Sequence, residues 1–199
     1  MTKQSKIIVK HLLNTDLKHY AINKTEYYSV YVLLTTQGKN TKFRSIAFDE
    51  LYSEMDFKQI ISLNNKEDKE LINNEISVVE NISNLVINEL GVFDTHFITA
   101  YFKFLPTIKI CDIDDKTSLK SDDYLILKTI KTILNGISLF EFYNLSNQEL
   151  IKSGIKTNIE ETLKNVNRSY FYMSLSKFRY FLSGSTKNKV LLNKYEHVF

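Results

Sequence analysis

The chain has 199 residues, of which 43% are apolar and 25% are charged, and this composition is typical of one globular domain rather than a disordered or fibrous protein. Its five glycines and one proline form no glycine-rich phosphate-binding loop, which argues against nucleotide-fold enzymes. The formal charge of +3 comes from bases interleaved with acids, and without a basic stripe we do not expect nucleic acid as a partner.

The cysteine content and the apolar runs restrict the location of the protein. The single cysteine, Cys111, excludes an internal disulfide and a cysteine-based zinc site, and we predict it to be a small buried apolar residue. No apolar run reaches the roughly 18 residues that span a bilayer. The N-terminal segment lacks the pattern of a secretory signal. These observations predict a cytoplasmic protein without membrane contact.

The first part of the chain predicts a β-hairpin after an N-terminal element. Lys6–Tyr20 has the apolar spacing of a short amphipathic helix, so residues 1–22 are expected to form a helix or an arm. Tyr27–Thr36 and Lys42–Phe48 flank the polar sequence QGKN. This pattern is typical of a hairpin with a loop of three to six residues.

The next segments are predicted to form a helix and a second hairpin. Asp49 is a candidate cap for a helix that runs to about Leu63, and the charged sequence NNKEDKE after it is typical of a solvated turn or helix start. Leu71–Leu90 fits either a helix by its apolar spacing or a strand by its β-branched residues. Thr95–Leu105 is aromatic and β-rich, which predicts a strand that ends before Pro106.

The sequence after Pro106 predicts one more strand and then helices. The segment TIKICDI is expected to extend the sheet. Ser121 is a candidate cap for a helix, and Gly136 lies past its end. Ser146 and Glu149 have the spacing of a capping box, which predicts two ordinary packed helices up to Val166.

The same stretch, from Ser146 to Val166, also admits a helix-turn-helix, with LSNQELIKSGI as the first helix and turn. In that interpretation Glu160 and Glu161 lie where bases would be read, which disfavours DNA recognition.

The last segment of the sequence contains the acid that we predict to be catalytic. Phe178–Phe199 has two apolar runs around a polar turn with Gly184, the pattern of a hairpin that would close the sheet from the C-terminal side. Glu196 is then an acid among apolar and aromatic residues, where a carboxylate is costly unless it is paired or used. We expect it to act as a general acid or base, unless it faces solvent at the strand end.

Other side chains of this region are candidates for a pocket. Lys177 and Arg179 would share one face of the strand before the turn and could hold an anionic ligand. The aromatic residues between Tyr170 and Phe181 form either the core or the lining of a pocket for a planar ring. The four histidines show no metal-binding spacing, and no serine nucleophile motif is present. Catalysis would therefore use neither metal nor cofactor.

Three segments resemble a known family. LLTTQGKNTKF resembles the turn segment of chorismate pyruvate-lyases, also called 4-hydroxybenzoate synthases. LNGISLFEF is similar to the family's segment before a helix, and FRYFLSG followed by VLLNKYEHVF is similar to its closing hairpin. The resemblance implies a single α+β domain over residues 1–199, with an antiparallel sheet and flanking helices around a buried ligand, as in the UTRA effector-binding domains. In that family, chorismate eliminates pyruvate to leave 4-hydroxybenzoate.

The resemblance also implies site residues. Glu196 matches the catalytic glutamate, and Gly184 matches the hairpin glycine. The family's carboxylate-binding arginine has no counterpart, since Leu85 occupies its position and no arginine lies between Arg44 and Arg168. Either Lys103 or Arg179 would have to replace that arginine, or the lyase activity would be lost. The implied substrate-binding positions are thus Asn40, Thr41, Leu85, Lys103 and Arg179.

Three functions follow as hypotheses. The first is a cofactor-independent lyase acting on chorismate or another small aromatic carboxylate. The second is a non-catalytic small-molecule or protein-binding module on the same scaffold. The third is a helix-turn-helix regulator.

Overall fold

The computed structural model describes residues 6–17, 20–62, 64–113, 128–129, 131–152 and 159–199, without the side chains of residues 146–152, 159–160 and 162–163. It confirms the predicted α+β class: an antiparallel sheet is formed early in the chain, and helices follow. Two compact units are distinguished, Met1–Ile87 and Asn88–Phe199. The division into two units does not test whether residues 1–199 act as one domain, and this stays a prediction.

The first unit is a sheet around one long central strand. Over Tyr31–Thr35, the central strand β3 pairs with β1 on one edge and with β4 on the other. The shorter strands β2 and β5 pair with its N-terminal half, and every pairing is antiparallel. The strands are β1 (Ile8–Leu13), β2 (Tyr20–Ile22), β3 (Thr25–Thr36), β4 (Lys39–Arg44) and β5 (Leu51–Tyr52).

Two tight turns connect the strands around β3. The predicted β3–β4 hairpin is confirmed, but its turn has two residues, Gln37 and Gly38, with φ of 52° and 70°. Asn23 and Lys24 connect β2 to β3 with φ of 51° and 69°. Positive φ at both central residues is the mark of a type I′ turn, whose twist matches the twist of the strands.

The short helix predicted from Lys6 is wrong where the structure describes that segment. Ile8–Leu13 is a strand because all six of its residues pair with β3. Tertiary pairing overrides an ambiguous local pattern in so short a segment.

Two helices follow the sheet in the first unit. Helix α1 (Glu54–Ile61) begins after Ser53, whose side chain forms a capping box with Asp56, so the predicted cap at Asp49 is wrong. Helix α2 (Lys66–Leu90) settles the open question over Leu71–Leu90 in favour of a helix. Of the two forms predicted for the charged sequence NNKEDKE, the helix start is found, because Lys66–Glu70 is the beginning of α2.

One face of the sheet is the inner face. Alternate residues of β3, from Tyr28 to Thr36, are buried, as period-two patterning requires for a sheet packed on one side. Val30 packs with Phe48, with Phe57 of α1 and with Ile72 of α2 in one apolar cluster. The helices therefore cover this face, and the other face, which we name the outer face, is formed by the odd-numbered residues of β3 and their partners.

The second unit is helical in its described parts. Its helices include α3 (Thr95–Phe104), α4 (Leu139–Lys152), α5 (Ile159–Ser183) and α6 (Lys189–Lys194), and short 3-10 turns lie at Leu105–Thr107, Ile110–Asp112 and Thr186–Asn188. The strand predicted over Thr95–Leu105 is wrong. Asp94 caps α3 by accepting hydrogen bonds from the backbone N–H groups of His96 and Phe97 at 2.9 and 3.0 Å.

Three further predictions fall in this unit. TIKICDI does not extend a sheet: it forms a 3-10 turn, and Lys109 makes an isolated bridge with Ser138. No capping box starts a helix at Ser146, because α4 runs through that position from a cap at Ser138, whose Oγ accepts from the backbone N–H of Glu141 at 3.2 Å. The predicted cap at Ser121 and the turn of the helix-turn-helix lie outside the described residues.

The closing hairpin over Phe178–Phe199 is wrong as well. Helix α5 continues to Ser183, and α6 follows. The aromatic residues of α5 mainly form the core: Phe178 is fully buried and packs edge-on against Phe97 and Tyr101, whereas Tyr180 is 82% exposed.

Candidate functional site

The residues predicted for a lyase site have other environments than expected. Glu196 lies after α6 with its side chain exposed, not in an apolar strand. Arg179 on α5 and Lys103 on α3 are exposed too. Lys177 and Arg179 do not share a face, because residues two apart on a helix point in different directions. The expectation that Glu196 is buried and needs a partner or a use is therefore wrong, and its solvent-facing alternative holds.

The other three predicted residues belong to the first unit. Asn40 is exposed and Thr41 is half-buried, both on β4 just after the hairpin turn. Leu85 is half-buried on α2.

Sequence reasoning missed the buried acid of the first unit, Glu75 on α2. Its side chain is 1% exposed, and that of His11 on β1 is 2% exposed. Glu75 Oε2 lies 2.7 Å from His11 Nε2 and accepts a hydrogen bond from Ser45 Oγ at 2.6 Å. Its other oxygen accepts from the backbone N–H groups of Ile46 at 2.7 Å and Ala47 at 3.3 Å. One carboxylate thus connects the helix to β1 and to the loop after β4.

The electrostatics of Glu75 follow from these contacts. Burial by itself would raise its pKa, but hydrogen bonds from His11, Ser45 and Ile46 outweigh it and hold the pKa below its ordinary value. Ser45 donates to Glu75 rather than to His11, so the three side chains lack the order of a nucleophilic triad. A sealed carboxylate with these partners stabilises the fold instead of reaching a substrate.

A pattern in the sequence could have revealed this acid. Ile72, Glu75, Val79, Ile82 and Val86 recur at intervals of three or four along α2, and all five are buried. Glu75 therefore occupies an apolar position of the helix, where an acid needs partners.

In the second unit, one acid at the start of α3, Asp94, is held by several donors. Asp94 Oδ2 accepts hydrogen bonds from Lys194 Nζ at 2.5 Å and from the hydroxyl of Tyr195 at 2.8 Å. Burial would raise its pKa, but the bonds from Lys194, the Phe97 amide and Tyr195 lower it to about 2. These contacts connect the helix cap to the C-terminal end of α6 and to the residue after it.

The core of the second unit contains a small polar cluster. The hydroxyl of Tyr101 lies 3.4 Å from that of Tyr143 and 3.2 Å from Ser174 Oγ. Burial raises the pKa of Tyr101 to about 12, so its hydroxyl stays protonated at neutral pH.

The described residues offer neither a metal site nor a membrane-spanning helix. They contain no group of three or more His, Cys, Asp or Glu side chains able to hold a metal ion. No helix among them has the length and apolarity that crossing a membrane requires.

The outer face of the sheet combines cations with apolar side chains. Residues directly opposite each other in antiparallel strands point to the same face, so the pairing with the odd-numbered residues of β3 identifies its members. No acid occupies a strand position on this face. Its apolar and aromatic members include Ile8, Leu12, Tyr20, Ile22, Tyr27, Tyr31 and Leu33, and its cations are Lys10, Lys42 and Arg44.

The cations of the outer face differ in their contacts. Lys42 Nζ donates to Asp16 at 2.8 Å and to the Asn14 side chain at 3.3 Å. Arg44 donates to the backbone oxygen of Asp49 at 2.5 Å. Lys10 has no ion-pair partner within the part of the chain that the structure describes. An anion on this face would thus meet Lys10 without displacing an acid.

The apolar side chains of this face remain partly open to solvent. Tyr20 is 65% exposed, Ile22 60% and Ile8 41%. Tyr27 and Tyr31 are half-buried, in contrast to the fully buried Val30 and Val32 on the inner face. Exposed apolar groups next to charged ones are typical of an interaction surface.

Comparison with known proteins identifies no family: no protein-family model, no curated protein and no solved structure matches the chain. The resemblance to chorismate lyases stays a prediction.

Proposed function

We propose that the protein is a binding module without a catalytic role, and that the outer face of its sheet holds an anionic partner. The observation that carries the proposal is the charge of this face: Lys10, Lys42 and Arg44 project from its strand positions, and no acid does. A surface on which cations predominate attracts a partner of the other sign and speeds its association.

The contacts of the carboxylates support binding rather than catalysis. Glu75 and Asp94 are each engaged by several donors inside the fold. A general acid or base has to lie within hydrogen-bond reach of its substrate. Glu196, the acid of the lyase hypothesis, is exposed after α6. Lyase activity remains an untested prediction, and the geometry favours the binding module.

The test is the salt concentration at which the protein elutes from immobilised heparin, used as a polyanion probe. One variant carries Lys10→Gln, Lys42→Gln and Arg44→Gln. The matched control carries Lys58→Gln, Lys66→Gln and Lys69→Gln, three exposed residues of α1 and α2, and has the same net charge. Circular dichroism and thermal midpoints verify that both variants fold.

We expect the outer-face variant to elute at lower salt than the control variant. Equal elution would mean that only net charge matters, and it would overturn the proposal.

A further inference from the structure

The outer face carries tyrosines along β3 beside its cations, and we infer that the anionic partner is single-stranded nucleic acid. This inference rests on the proposed function, because it names the partner of the same face. It departs from the sequence-based expectation, which rested on the lack of a basic stripe along the chain. The cations here are far apart in sequence, and strand pairing brings them to one face.

The register of the strands arranges the face in rows. Leu33 of β3 has Lys10 and Lys42 as its opposite partners, which places a cation on each side of an apolar centre. In the next row on this face, Tyr31 lies between Leu12 and Arg44. Neighbouring strands are about 4.8 Å apart, so each row spans roughly 10 Å.

Two further tyrosines continue the face along β3. Tyr27 precedes Tyr31 by four residues, and Tyr20 of β2 lies directly opposite Tyr27. Among the described residues, the rings of these three tyrosines form no ring pair and no hydrogen bond. The Tyr20 ring is the most open of the three, and the half-buried rings of Tyr27 and Tyr31 keep part of their surface exposed to solvent.

This combination fits a single strand better than other polyanions. A single strand presents phosphates to cations and unstacked bases to aromatic rings, and aromatic sheet surfaces bind it in this way. A duplex hides the faces of its bases, and an acidic peptide offers charge with few planar rings. The tyrosines therefore separate these partners, whereas the cations alone do not.

The pair of Lys42 and Asp16 does not prevent this binding. The two side chains are 42% and 78% exposed, and an ion pair so open to water contributes little. A phosphate can replace the Asp16 carboxylate at Lys42 while Lys10 on the other side of β3 needs no exchange.

The experiment is fluorescence anisotropy with labelled 12-mers at several salt concentrations. The probes are single-stranded RNA, single-stranded DNA, a DNA duplex and a polyglutamate peptide. The variants are Tyr20→Leu and Tyr31→Leu, which remove the ring but keep an apolar side chain, and Lys10→Gln. Tyr180→Leu on α5 is the control, since Tyr180 is also exposed and lies in the second unit.

We expect the single strands to bind more tightly than the duplex or the peptide. Each outer-face tyrosine variant should weaken that binding about 5- to 150-fold at an unchanged salt slope. Lys10→Gln should reduce the slope of log K against log salt by about 0.7, the value for one phosphate contact with a single strand. Tyr180→Leu should change neither quantity. Since Tyr20 is 65% exposed, its variant tests the ring even if Tyr31→Leu fails to fold.

Other results would overturn the inference in distinguishable ways. In the first, polyglutamate or the duplex binds as tightly as the single strands, and the tyrosine variants have no effect. The face would then bind anions, but its partner would not be single-stranded nucleic acid. No binding of any probe, together with equal heparin elution of the two charge variants, would overturn the proposed function as well.

Discussion

His11 and Glu75 meet inside the first unit, with Nε2 of the histidine 2.7 Å from Oε2 of the carboxylate. They are 64 residues apart in the sequence, and one lies on β1 while the other lies on α2. The same carboxylate holds Ser45 and the amides of the loop after β4. One helical residue therefore positions both β1 and the loop after β4.

We predict that Glu75→Ala lowers the free energy of unfolding by roughly 3–5 kcal/mol, because it leaves several buried donors without an acceptor. Chemical denaturation measures this change. Glu70→Ala is the matched control: Glu70 is exposed on the same helix, and its replacement should stay within about 0.5 kcal/mol. A similar loss in both variants would show that the buried contacts of Glu75 contribute little.

The low pKa of Asp94 predicts a loss of stability in acid. Its pKa is about 2 in the folded protein against an ordinary 3.8. A depressed pKa stabilises the fold above the unfolded value, and this contribution disappears as the pH falls from about 4 through 2.

Asp94→Asn keeps a helix-capping side chain and removes the charge. It should cost about 1 kcal/mol at pH 7, and the difference from the unmodified protein should shrink towards pH 2. Urea unfolding at several pH values measures it. A difference that stays constant with pH would contradict the assigned shift, and Asp112→Asn, at an exposed acid, serves as control.

The turn between β2 and β3 carries backbone strain that glycine can relieve. Lys24 has φ of 69°, in the left-handed region that costs a side-chain-bearing residue roughly 1–2 kcal/mol. Lys24→Gly would produce the preferred Asn-Gly turn and should stabilise the protein by about 0.5–1 kcal/mol in thermal or chemical unfolding. Lys39→Gly, in β4, should instead destabilise it by about the same amount. A destabilising Lys24→Gly would show that the turn bears no such strain.

The lyase hypothesis makes a prediction about Glu196 that differs from that of a binding module. If Glu196 is a general acid or base, Glu196→Gln should lower turnover of chorismate at least tenfold, a modest demand for such a group. As a binding module, the protein should release no pyruvate from chorismate in either form, and the exposed substitution should leave stability within about 0.5 kcal/mol. Chromatography of pyruvate and 4-hydroxybenzoate distinguishes the two outcomes.

The sequence predictions were correct where the local pattern of apolar residues was clear. The β3–β4 hairpin was predictable because apolar residues alternate along β3 and Gly38 suits the turn. Helix α3 was not, because Phe97, Ile98, Tyr101 and Phe102 are all buried, and a helix buried on several sides loses its apolar periodicity. Its aromatic residues then resemble those of a strand.

The candidate site was less predictable than the hairpin. Glu196 was predicted to be catalytic because it is the one acid in an apolar segment near the C-terminus. Whether an acid is buried, however, depends on residues distant in the sequence. Lys10 and Lys42 lie on the same face of the sheet because both pair with Leu33 of β3. Such a surface becomes visible when the register of the strands is known.

Cys111, predicted to be buried, is exposed in a 3-10 turn of the second unit. It is also the single cysteine of the sequence. A maleimide reagent should therefore give one homogeneous conjugate under native conditions, with the fluorophore outside the unit that carries the outer face. Air oxidation of the same thiol can join two copies through one covalent bond, so purified samples need a reductant before their mass in solution is interpreted.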